Sequence, residues 1–93
     1  MDNAMGFACL KDTCEWMCSE DYKERMKAEY IQTKMRYEKL KDFCNRIEAA
    51  EIMGREQPKH DCPVYLLRDQ QSVMGSYLSI LEKRMIIEGI EII

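Results

Sequence analysis

A chain of 93 residues holds one small domain, and its 46% apolar content, spread along the whole length, excludes a disordered segment. Its 17 acidic and 14 basic residues leave a net charge of -3, which argues against duplex nucleic acid or an anionic membrane as partner, since both reward a basic excess. Five cysteines, at 9, 14, 18, 44 and 62, form an odd set without a Cys-x-x-Cys pair and read as reduced thiols of an intracellular protein.

Residues 1–18 read as an N-terminal arm. Met5, Phe7, Leu10, Trp16 and Met17 make it too apolar for a free tail, so it is expected to be partly helical and packed on the body. Its apolar run is too short for the core of a signal peptide, and Asp2 stands where a basic residue belongs. No stretch approaches the roughly 18 apolar residues of a membrane span. These features predict a soluble protein of the cytoplasm.

Residues 19–93 read as the hairpin domain. Ser19 is expected to cap a long helix, with Glu20 and Asp21 favouring its positive end. Met26, Tyr30, Thr33, Tyr37, Leu40, Cys44 and Ile47 then follow at alternating spacings of four and three, a seam along one helix face. The helix is predicted over about 20–53, roughly 50 Å at 1.5 Å per residue, with Gly54 as its stop. The polar stretch from Gly54 to Cys62, broken by Pro58, reads as a loop. Pro63 is placed at the first position of a second helix, predicted over about 63–89. That helix carries the matching seam Leu67, Gln71, Met74, Leu78, Leu81, Met85 and Ile92. It also carries a second stripe, Leu66, Val73, Tyr77, Ile80, Ile87 and Ile90. Two apolar faces on one helix of so short a chain predict assembly into a homo-oligomer. Gly75 and Gly89 interrupt the pattern, as close-approach points or, for Gly89, as the helix end. The dense β-branched residues of IIEGIEII leave a short terminal strand as an alternative. The fold class is therefore all-α: an antiparallel helical hairpin with a short helical arm, oligomerising through the second helix.

No HExxH, ExxH, Gly-rich phosphate loop or GxSxG occurs, and the carboxylates alternate with Lys and Arg as on a solvated helix face. A binding protein is expected, without cofactor, rather than an enzyme. Cys14, Cys18, His60 and Cys62 are metal-ligand types, but their spacing fits no established zinc pattern, so no metal is expected. The candidate ligand-binding residues are Tyr22, Arg25, Tyr30, Arg36 and Tyr37 on the first helix and Arg68 and Arg84 on the second. Arg pairs with phosphate through two donors, and Tyr stacks on a base or bonds to a ribose. Such a set at a subunit interface suits a cyclic nucleotide or an ADP-ribose-type ligand. The alternative is that the tyrosines are seam residues and the cations face water. A helix face that blocks or recruits another protein is then the competing function.

The tracts DYKERMKAEY, MRYEKL, CPVYLL and MGSYLSILEKRMIIEGI resemble a family of small helical-hairpin proteins encoded by crAss-like phages and by phages of gut Firmicutes. The resemblance covers 19–48 and 62–89 and implies two long helices, a short polar loop and a phage protein acting in the host cytoplasm. The arm and the loop are longer than a minimal hairpin needs. The architecture is also similar to that of phage sponge proteins, small oligomeric hairpins that sequester cyclic nucleotide signals of bacterial immunity. From that likeness comes the expectation of an anti-defence protein.

Overall fold

The computed structural model describes residues 13–91. Within them a single helical turn, α1 (Cys14–Met17), leads into two long helices, α2 (Tyr22–Met53) and α3 (Val64–Glu88). Residues 1–12 and Ile92, to which part of the arm and the last seam position were assigned, lie outside the described residues.

The cap of α2 is Asp21 rather than Ser19. Asp21 accepts the Lys23 N–H at 3.0 Å, while the Ser19 hydroxyl accepts the N–H of Asp21 itself, also at 3.0 Å. The carboxylate takes the cap because it also carries charge against the positive helix end. Both long helices end alike. Gly54 and Gly89 adopt φ of 68° and 71°, a conformation open to glycine, and each pairs its N–H with a carbonyl of the last turn. One residue on, the N–H groups of Arg55 and Ile90 bond back to Ala50 and Met85. This turn folds Ile90 onto Met85, Met26 and Leu81 in the core, so Ile90 does not belong to the outward stripe to which it was assigned. Pro63 sits at the cap of α3 rather than in its first turn. Its extended ψ of 146° precedes the helix, and its carbonyl accepts the N–H groups of Leu66 and Leu67. The chain stays helical through Glu88, which removes the strand reading of the segment from Ile86.

The two seams meet as antiparallel neighbours. Met26, Cys44 and Ile47 of α2 and Leu78, Leu81 and Met85 of α3 are buried, with Tyr30 packed on the cluster at the α2 start. Polar rungs cross the pair at intervals. The Tyr22 hydroxyl donates to Glu88 at 2.7 Å and the Tyr30 hydroxyl to Glu82 at 2.7 Å. Near the loop, Arg68 donates to both oxygens of Glu48, at 3.0 and 2.8 Å, to Asn45 at 2.7 Å and to Gln71. Gly75 lies against the Tyr37 ring, and a methyl group there would come within 3.2 Å of it, so the glycine does mark a close approach. In the loop, His60 donates through Nδ1–H to the Cys62 carbonyl at 2.7 Å and meets Phe43 edge-on, which pins the connection to α2.

The short α1 lies on a second face of α2. The Gln32 amide donates to Thr13 at 2.7 Å and to the Met17 sulfur, and the Lys27 ammonium sits 5.2 Å from the Trp16 ring centre. Between Lys27 and Gln32 on the helix surface, Ala28 and Ile31 are fully buried. Cys14, Cys18 and Cys62 are exposed free thiols and Cys44 a buried one. Among the described residues no helix is long and apolar enough to cross a membrane, and no His, Cys, Asp or Glu cluster could hold a metal ion.

Candidate functional site: a polar cleft bounded by all three helices

One residue before each seam position, α2 carries a second stripe at the same spacing: Arg25, Glu29, Gln32 and Arg36. Residues four and three apart stack on one helix face, so these side chains form a polar row beside the apolar one. The row forms the floor of a cleft of about 430 Å³, completed by Thr33, by Met17 of α1 and by Tyr77 of α3. Its size falls within the range of small-molecule sites, roughly 300–1,000 Å³.

Arg25 is steadied at one end, donating from Nη1 to the Ser19 carbonyl at 2.7 Å and keeping its other donors. Arg36, at the opposite end and exposed, has no hydrogen-bond or ion-pair partner among the described residues. Between them Glu29 accepts the Tyr77 hydroxyl. That bond to a carboxylate raises the Tyr77 pKa, assisted by partial burial, so the phenol remains neutral at any physiological pH. The Gln32 amide is oriented by Thr13 and Met17, so α1 fixes the middle of the row. Two arginines, at helix positions about 16 Å apart along the axis, flank a carboxylate, an amide and an aromatic ring. The arrangement offers anion-binding ends and a hydrogen-bonding, stacking centre.

Of the seven candidate residues, the structure brings Arg25 and Arg36 together in this cleft. The other five lie outside its lining. Tyr22 and Tyr30 bond across the hairpin to Glu88 and Glu82. Tyr37 packs against Gly75 with the Lys34 and Lys41 ammonium groups 5.8 and 5.7 Å from its ring centre. Arg68 is engaged by four acceptors of three residues, and the bond to Glu48 raises its pKa while lowering that of Glu48. Arg84 donates to Glu88 one turn on, at 3.2 and 3.3 Å.

Sequence reasoning missed Glu29, Gln32, Thr33, Met17 and Tyr77. The signal for the first two was the shifted copy of the seam spacing, masked by ordinary charge alternation. Tyr77 was read as part of the outward apolar stripe, whereas its hydroxyl reaches α2 across the hairpin. No curated protein and no solved structure matches the chain. A family model does: Sequestin, over residues 20–87, which spans α2, the loop and nearly all of α3. The chain belongs to the Sequestin family.

Proposed function

We propose that this protein binds and sequesters a small anionic ligand of the nucleotide type in the cleft between Arg25 and Arg36. The family name denotes sequestration, a binding role rather than a catalytic one. The observation that carries the reading is the Arg25–Glu29–Gln32–Arg36 row, with the unpartnered Arg36 guanidinium at one end and the Tyr77 ring across the cleft. Arginine binds a phosphate through paired N–H donors, and the two ends suit phosphates separated by a sugar or base. Glu29 and Gln32 supply an acceptor and a donor for hydroxyl or ring-edge groups, and Met17 and Tyr77 supply apolar surface. Holding such a ligand lowers its free concentration without changing it chemically. In a phage-infected cell that activity silences a nucleotide-type immune signal, which makes the protein an anti-defence factor of the host cytoplasm.

The test is thermal unfolding with cyclic di- and trinucleotides and ADP-ribose derivatives. A ligand at 100 times its dissociation constant adds about 2.7 kcal/mol of stability, a readily measured rise in Tm. Arg36→Ala removes a group with no structural partner, so it abolishes most of that rise while leaving the ligand-free Tm within about 1 °C. Arg25→Ala reduces the rise as well. A panel without any shift, or a shift that survives both changes, refutes the assignment of this cleft.

A further inference from the structure

The outward face of α3 repeats with a strict period. Leu66, Val73, Ile80 and Ile87 recur every seven residues and are 48, 69, 54 and 82% exposed. A seven-residue apolar repeat is the pattern that pairs one helix with another along its length. Nothing among the described residues of the chain covers it.

The charges beside the stripe choose the partner and its direction. Asp69 and Gln70 lie toward the start of α3, Lys83 and Arg84 toward its end, and all four are exposed. Asp69 and Lys83 have no ion-pair partner among the described residues, and the Arg84 side chain remains 50% exposed beside Glu88. A second copy of α3 running antiparallel seats all four apolar residues at once. Leu66 then meets the partner's Ile87, and Val73 meets the partner's Ile80. The same register sets Asp69 against the partner's Lys83 and Arg84, twice per pair by symmetry. A parallel pairing sets Asp69 against the partner's Asp69 and cation against cation. The apolar repeat and the charges are thus self-complementary only in the antiparallel sense, the requirement for a two-fold interface.

We infer that the protein is a two-fold dimer in which the α3 helices pair antiparallel, with the dyad between Ser76 and Tyr77. Ser76 is small, which lets the helices approach at the dyad. Tyr77 borders the polar cleft, so each copy contributes one cleft-lining residue next to the dyad. The pairing does not rest on the ligand reading and is measured on the nucleotide-free protein.

Sedimentation of the full chain at tens of micromolar should give a dimer. Ile80→Glu and, separately, Val73→Glu should weaken association by roughly 100-fold or more, since each buries two unpaired charges in the contact. Both sites are exposed in the single chain, and an unchanged helix content by circular dichroism verifies that each variant folds. Asp69→Lys should weaken the dimer by roughly 10-fold through its two lost pairs, and adding Lys83→Glu and Arg84→Glu to the same chain should restore it. A monomeric native protein, or a dimer insensitive to Ile80→Glu and Val73→Glu, overturns the interface. A charge reversal that fails to restore association overturns the antiparallel register.

Discussion

Tyr30 joins the apolar core of the hairpin to its polar edge. Its ring packs on the Met26, Leu81, Met85 and Ile90 cluster, and its hydroxyl spans the hairpin to Glu82. Burial, and then that bond to a carboxylate, push its pKa up to about 12. The unfolded phenol ionises near its ordinary value of 10. Between these values the unfolded chain has lost a proton that the folded one retains, so the stability contributed by Tyr30 is complete below about pH 10 and is lost as pH rises toward 12. Tyr22 and Tyr77 are raised in the same direction by their bonds to Glu88 and Glu29. Urea unfolding between about pH 9 and 11.5 should therefore show falling stability, and Tyr30→Phe should flatten the fall without abolishing it. An unchanged slope in that variant would place the titration elsewhere. As a seam position Tyr30 was legible, because a spacing of four and three marks it. Its hydroxyl partner was not, because which carboxylate it meets depends on the register between helices some fifty residues apart in the chain.

At the scale of the element, spacing and punctuation explain most of what is observed. The glycine stops, the polar loop and the matched seams lie where periodicity puts them, and only the caps shift, by two residues at Asp21 and one at Pro63. The cleft was harder to read because a polar row beside a seam looks the same whether it faces water or a concavity. What makes it concave is α1, placed by the bonds of Gln32, together with Tyr77 reaching over from α3. Gly75 is the point where α3 yields to α2. Alanine at an internal helix site gains about 1 kcal/mol over glycine, but here its methyl group crowds the Tyr37 ring at 3.2 Å. Gly75→Ala should stabilise fully only when combined with Tyr37→Leu, and a double-mutant cycle in denaturant should show coupling of about 0.5 kcal/mol or more. Additive effects would mean that the ring gives way freely.

At the scale of the whole molecule, the narrow core between α2 and α3 holds the hairpin together. Leu81 is 2% exposed within it, and Leu81→Ala should cost about 2–5 kcal/mol, a large share of the 5–15 kcal/mol of a small domain. Ile86→Ala, at an 80% exposed site, should change stability by less than about 0.5 kcal/mol, and equilibrium denaturation distinguishes the two. The cross-hairpin rungs also have a mechanical meaning. Tyr22–Glu88, Tyr30–Glu82, Tyr37 against Gly75 and the Arg68 cluster succeed one another from the open end of the hairpin to its loop. A force that draws the outer ends of α2 and α3 apart loads these rungs in turn rather than together, so the hairpin opens as a zipper and not by shear. The Arg68 cluster, with the most bonds of any rung, lies deepest in that sequence. A processive unfoldase drawing on one end would therefore meet the weaker rungs first and the strongest last, next to the loop that His60 and Phe43 hold shut.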